Sequence, residues 1–326
     1  MSGRRSWISG IRAGGSVNPA GRKLPSLRTG SWSRFTKSTL PDRVILAATL
    51  RVAAIQLTAT PDLATNVAKA DALVREAAAG GAELVLLPEW WAAGGTAAQK
   101  HAAAQILDGD AIEWAAATAA ELKIDLIAGS VTELVEGEEK LYNTSVHLGP
   151  DGEHKGVYRK IHLFDNEIAG AAFRESEHQL PGDQIVSSEA ADGTVLGLSI
   201  CYDLRFPELY RLQAVDGAKV LLVPACFTKK TTEAHWETLL RARAIENHCF
   251  VIAANQVGEI APGFESGGES MILDPWGTTL AKADRKSEML IAAELDLSEL
   301  ERIRSELPSL ASRQPQTYGS VQRGLG

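Results

Sequence analysis

Cysteine is scarce: Cys201, Cys226 and Cys249 are the only three among 326 residues, and no two form a C-x-x-C pair. An odd, scattered set gives no disulfide framework and no zinc-ligand spacing, and the expected compartment is a reducing cytoplasm. No apolar run reaches the roughly 18 residues of a membrane-spanning helix. The motifs G-x-S-x-G, G-x-x-x-x-G-K-[ST] and G-x-G-x-x-G are absent, which removes the serine-elbow, P-loop and dinucleotide-fingerprint readings. Acid is nearly missing from residues 1–43, where nine Lys/Arg face the single Asp42 for a balance of +8. The chain as a whole stands at −8, which leaves −16 on residues 44–326. So acidic a body argues against a nucleic-acid partner. The basic head lacks the apolar core of a secretory signal, and Arg4–Arg5 alone does not make a twin-arginine signal. Its Arg/Ser-rich composition suits a transit peptide, an anion-binding arm, or sequence upstream of a later start. A disordered extension over 1–43 and a folded domain over 44–326 are expected.

Composition is otherwise globular, with 45% hydrophobic residues. Strands are expected at Leu50–Leu57, Glu83–Pro88, Lys140–Leu148, Val157–His162, Val195–Ile200, Val220–Pro224, Phe250–Ala254 and Ile291–Asp296. One or two more lie within Ile124–Val135, and a hairpin turns at Pro275–Trp276–Gly277. Helical spacing covers Asn66–Ala79, Thr96–Leu122 with a break at Asp108–Gly109–Asp110, Pro207–Val215, His235–Asn247 and Ser298–Leu307. Residues 163–193 show no period, and a long irregular stretch in a compact domain tends to be functional. An internal echo joins AGGAELVLLPEW at 79–90 to VDGAKVLLVPACF at 215–227: a helix ends in Gly-Ala, an apolar strand follows, and Pro closes it. Strands alternating with helices, twice over, imply a layered α/β fold of two similar halves, its sheets covered on both faces.

Three strand ends carry chemistry: Glu89 after LVLLP, Lys160 in VYRKIH, and Cys201 in GLSICYDLRFPE. A lone cysteine is usually a small buried hydrophobe, and a lone Glu–Lys pair needs no function. Ligands in layered α/β folds gather at the carboxyl ends of strands, so the three together are more telling. A thiolate attacks a carbonyl, a carboxylate moves the protons, and an ammonium with the Tyr202 backbone N–H holds the oxyanion. His162 and His235 are the other candidate partners for Cys201, as a cysteine–histidine dyad. His162, two residues past Lys160, would share its face of a strand, and His235 suits a helix start.

LPEW (87–90), YRKIHLFD (158–165), GLSICYDLRFPE (197–208), AHWETLLRARAIEN (234–247) and DPWG (274–277) together resemble the nitrilase superfamily of carbon–nitrogen hydrolases, over residues 51–319. The resemblance implies a four-layer αββα sandwich, no cofactor and no metal, and a Glu89–Lys160–Cys201 triad. It also implies a second glutamate between Lys and Cys, placed at Glu175 with Glu167 as fallback. YNTSVHLGPDG, CYDLRFPEL and PACFTKKTTEAHW are most similar to the branch that contains ω-amidase and deaminated glutathione amidase. By that similarity the expected substrate is a small amide bearing a carboxylate. Arg205 would pair with the carboxylate while Phe227 and Thr231 line the pocket. Arg205 has a structural alternative in Asp203 or Glu208. The chain departs from the branch at Thr231–Thr232–Glu233, where Glu233 near an anion pocket would disfavour acidic substrates and Lys229 and Lys230 would offset it; Glu269 is a further departure. Nitrile hydrolysis and N-acyl transfer fit the same three residues, and a non-catalytic binding protein is the alternative from another class. The resemblance also implies a homodimer or larger assembly, for which 308–326 is a candidate segment.

Overall fold

Alternation along the first strand sets up the layers. In the computed structural model, which describes residues 49–168 and 171–318, Val52 and Ala54 face one core and Ala53 and Ile55 the other. Such two-sided burial produces the nearly unbroken apolar runs seen in the sequence. The expectations for residues 1–43 lie outside the described residues.

In chain order the elements are β1 (Thr49–Gln56), α1 (Leu63–Ala79), β2 (Leu84–Leu86), α2 (Ala97–Ala102), α3 (Asp110–Leu122), β3 (Asp125–Ile127), β4 (Val131–Glu133), β5 (Tyr142–Leu148) and β6 (His154–Arg159). A hairpin of β7 (Asp165–Ile168) and β8 (Ala171–Arg174) follows. Then come β9 (Ser187–Glu189), β10 (Val195–Leu198), α4 (Pro207–Asp216), β11 (Val220–Ala225), α5 (Glu237–Asn247) and β12 (Phe250–Asn255). A second hairpin, β13 (Val257–Ala261) with β14 (Phe264–Gly267), precedes β15 (Met271–Leu273), β16 (Thr279–Lys282), β17 (Met289–Asp296) and α6 (Leu297–Glu306).

One sheet runs β17-β1-β2-β3-β5-β4, with β6 also on β5; the other runs β16-β15-β12-β11-β10-β9. Each holds three adjacent parallel strands, β1-β2-β3 and β10-β11-β12. The two echoed stretches supply β2 and β11, the middle strands of these triples. Leu84, Leu86 and Ile127 of the first sheet share a core with Leu196, Leu198 and Leu221 of the second. Val85, Leu87 and Leu126 instead pack with Ala70 and Val74 of α1 and Ala115 and Ala119 of α3. Leu209 and Tyr210 of α4 and Leu240 and Ala244 of α5 cover the second sheet. The result is the expected αββα layering. A polar pin crosses the sandwich: His147 on β5 meets Asp125 on β3 at 3.0 Å and Ser188 on β9 at 2.8 Å, all three buried.

The differences from expectation have local causes. Helix α1 begins at Leu63 rather than Asn66, because the Asp62 carboxylate caps it by accepting from the Thr65 N–H at 2.8 Å. Asn66 is interior, its amide anchored to the carbonyls of Thr60 and Ala92. Strand β6 starts earlier than expected and stops at Arg159, so Lys160 and His162 are not on a strand and share no strand face. Regular α5 starts at Glu237, although helical turns reach back to Lys229. Hairpin β7–β8 lies in the stretch without a period, and β13–β14 lies outside the expected elements.

Candidate active site

Glu89, Lys160 and Cys201 meet where the two sheets abut. Glu89 follows β2 and is fully buried. Its backbone is fixed from both sides: Ser130 N–H donates to the Pro88 carbonyl at 3.2 Å, and the Gln256 amide donates to the Glu89 carbonyl at 2.6 Å. Gly129 is a position where only glycine fits, since its φ is +47° and a Cβ would overlap the Pro88 carbonyl oxygen. The Glu89 carboxylate accepts from Lys160 Nζ (3.0 Å) and Asn143 Nδ2 (2.8 Å) on Oε1, and from the Cys226 backbone N–H (2.8 Å) on Oε2. The ends of the two echoed strands thus touch.

Lys160, also buried, gives its ammonium to both oxygens of Glu175 at 3.0 and 2.9 Å. Its own backbone is held by the Asn143 carbonyl (2.9 Å) and by the Gly182 N–H (2.8 Å). Burial opposes its charge, but Glu175 and Glu89 outweigh burial and hold the ammonium well above the ordinary lysine range. Glu175 further accepts from the Phe164 N–H at 2.8 Å. Burial pushes its carboxyl up against the pull of Lys160. Glu167, the fallback, is exposed on β7, while Glu175 takes the place beside the lysine.

Cys201 opens a tight turn, Cys201–Arg205, at φ +48°, a left-handed conformation that is costly for a side chain with a Cβ. Asp203, fully buried, holds that turn. One of its oxygens accepts from Ile200 N–H (2.8 Å) and Tyr158 Oη–H (2.7 Å); the other lies on the His162 N–H (3.1 Å) and Nδ1 (2.7 Å). The cysteine turn is therefore tied to the lysine segment through one carboxylate. Burial and the negative charge of Glu89 push the Cys201 thiol well up, with Lys160 opposing them.

The histidines do not form a dyad with Cys201. His162 is committed to Asp203 and stacks on Phe206 with ring centroids 3.6 Å apart. His235 places Nδ1 at 3.4 Å from the Arg205 guanidinium.

A cavity of about 380 Å³ opens onto Glu89, Glu175 and Cys201, and is lined also by Tyr202, Arg205, Phe227 and Thr231. Arg205 does not bond Asp203, whose oxygens are taken, and Glu208 is exposed without being its partner among the described residues. Its guanidinium instead lies 5.2 Å from the centre of the Phe227 ring. Phe227 is pinned by its N–H on Asn255 Oδ1 at 2.9 Å, and Thr231 Oγ1 turns to the Thr228 carbonyl at 3.1 Å. Glu233 is exposed near Arg285 (3.8 Å), and Lys229 pairs with Glu265 (3.0 Å). Neither lines the cavity, so the expected push and pull on acidic substrates is absent there. Glu269 is buried between Lys282 (2.7 Å) and Arg285 (2.9 Å).

Three participants escaped the sequence reading. Asn143 supports Glu89 from inside β5, and an amide in an otherwise buried strand was the available signal. Asp203 supports the cysteine turn, and Lys100 of α2 reaches the cavity; neither had a spacing to betray it. The arrangement supplies a thiol beside a carboxylate and an ammonium beside both, and all three side chains are buried.

The carbon–nitrogen hydrolase family model matches residues 51–305. Deaminated glutathione amidase of Synechocystis is 40% identical over 264 residues, spanning 80% of this chain and 97% of that one. Human omega-amidase NIT2 is 37% identical over 269 residues, 82% of this chain and 96% of its own. Among solved structures, the C. elegans NitFhit protein superposes with a TM-score of 0.79 at 35% identity, covering 84% of this chain and 67% of that one.

Proposed function

The chain belongs to the carbon–nitrogen hydrolase family, and from that premise we propose that it is a cysteine-dependent amidase that releases ammonia from the terminal amide of a small carboxylate-bearing substrate. The observation that carries this reading is that Glu89, Glu175 and Cys201 line one cavity while the buried Lys160 ammonium bridges the two carboxylates behind it. The relatives named above are amidases, which favours an amide over a nitrile or an acyl acceptor.

Glu89 takes the thiol proton as Cys201 Sγ bonds to the amide carbon. The carbonyl oxygen becomes an oxyanion, stabilised by Lys160 Nζ and the Tyr202 N–H. Collapse breaks the C–N bond, and Glu89 passes its proton to nitrogen, freeing ammonia and leaving a thioester. Glu89 then removes a proton from water, whose oxygen attacks the thioester; the acid leaves and the thiol is restored. Glu175 holds Lys160 in place.

The deciding experiment sets keto-acid ω-amides beside the matching nitriles, scoring ammonia, with rapid quench and intact-mass analysis. Amide turnover with an acyl adduct on the peptide containing Cys201 is the expected result. Turnover of nitriles alone, or transfer to an added amine in place of hydrolysis, overturns it.

Two further outcomes follow from the site. Replacing Arg205 by Gln should raise KM for carboxylate-bearing amides by about 10- to 100-fold, the loss of one charge-assisted pair, with a smaller change in kcat; an unchanged KM removes Arg205 from substrate binding. The pH profile should be flat on its alkaline side. The Cys201 thiol is pushed well above its ordinary 9.0 and the Lys160 ammonium well above 10.5, so the first stays protonated and the second charged through neutral and mildly alkaline pH. A step in kcat with its midpoint between about pH 7 and 8.5 would contradict that assignment.

A further inference from the structure

Lys160 is surrounded by carboxylates, but the cavity holds a second lysine that is not. Lys100, on α2, brings its Nζ to 3.1 Å from the centre of the Trp90 ring, whose other ammonium neighbour, Lys160, stands at 5.5 Å. Among the described residues no carboxylate lies within ion-pair distance of Lys100, and no oxygen accepts from it. Lys100 is half-buried, and an aromatic face attracts a cation but is a weak substitute for a counterion. The protein keeps the helix bearing this lysine in place: Thr96 and Gln99 close a reciprocal cap at its start. Burial draws the Lys100 amine below the ordinary lysine range, and the nearby Cys226, Glu89 and Glu175 only partly resist, with Lys160 acting alongside burial. An uncompensated ammonium in a catalytic cavity is where an anionic ligand group gains most.

Arg205 has different ring neighbours, Phe227 and Tyr202. It too lacks a carboxylate partner among the described residues. The cavity thus presents two cations, each against its own aromatic rings, with Cys201 and Glu89 also on its lining.

We propose that Lys100 is a specificity-determining residue that ion-pairs with an anionic group of the substrate other than the one held by Arg205, so that the cavity takes amides carrying two anionic groups. This rests on the amidase reading for its substrate, though not for the subsite itself.

The test compares glutaramate, with one carboxylate, with its 4-carboxy and N-carboxymethyl derivatives, each with two. In the native enzyme at least one dianionic amide should exceed glutaramate in kcat/KM. Lys100→Met, which keeps the apolar stem, should cut that ratio at least about tenfold, the scale of one charge-assisted hydrogen bond, while Lys100→Arg should restore part of it. A ratio unmoved by Lys100→Met, or a native enzyme that disfavours both dianions, overturns the proposal. Should Lys100→Met fail to fold, Lys100→Gln is read in its place. If the native enzyme hydrolyses none of these amides, it is the amidase reading that fails. The subsite is then judged by calorimetry with glutarate against butyrate. Tighter glutarate binding that Lys100→Met abolishes supports it, and equal affinities in the native protein refute it.

Discussion

Cys201→Ala should lose amide hydrolysis by on the order of 10⁴-fold or more, as removal of a nucleophile does when the rest of a site cannot replace it. The structure gives a reason why no substitute steps in. Cys226 lines the same cavity, but burial pushes its thiol up to about 12, and its backbone N–H is spent on Glu89. Cys249 is buried elsewhere, against the Ala218 carbonyl and Arg304. The substitution removes one sulfur from a turn held by Asp203, so the fold should survive and the melting temperature should shift little. Ammonia release beside a thermal melt checks both halves. Residual turnover above about 1% of native would exclude Cys201 as the attacking atom.

Lys160→Met should act on rate and on stability together. Lys160 is the proposed oxyanion partner, and its loss should cost about 10²–10³ in kcat. The same change leaves Glu89 and Glu175 facing each other in a buried site, and stripping the partner from buried charges costs about 3–5 kcal/mol. The pH dependence separates the two effects. Glu175 already has its carboxyl raised by burial, and without the ammonium it rises further. A group raised on folding favours the native state below its unfolded pKa, and that contribution is lost as pH climbs through the folded value. The variant should therefore be least deficient in acid and most deficient at pH 8, read from urea titrations at the two ends. Adding Glu175→Gln should recover part of the stability and none of the rate. If the single variant melts like the native protein at pH 8, the buried ion cluster is not what the geometry indicates.

Cys201, Glu89 and Lys160 were legible because each sits at or just past the end of an apolar run, where composition changes sharply. The layers were legible for a related reason: β2 and β11 are buried on both faces, and their apolar spelling repeats. Glu175 was harder. It lies beyond a hairpin whose residues alternate in no useful way, so only resemblance separated it from Glu167, and contact with Lys160 decides between them. Strand parity does not reach His162, because β6 ends at Arg159. Asn143, Asp203 and Lys100 stayed hidden since their roles depend on neighbours 54, 45 and 10 or more residues away in the chain, which no local period encodes.

Glu89 follows a strand of one sheet and Cys201 a strand of the other, and hydrogen bonds across the sandwich, from the Cys226 N–H to Glu89 and from the Tyr158 hydroxyl to Asp203, hold them in register. Catalytic output is then a gauge of alignment between two slabs. Heat or mild denaturant that lets one slab slip by an ångström would silence the enzyme while helices and strands still register as intact, so inactivation should run ahead of unfolding.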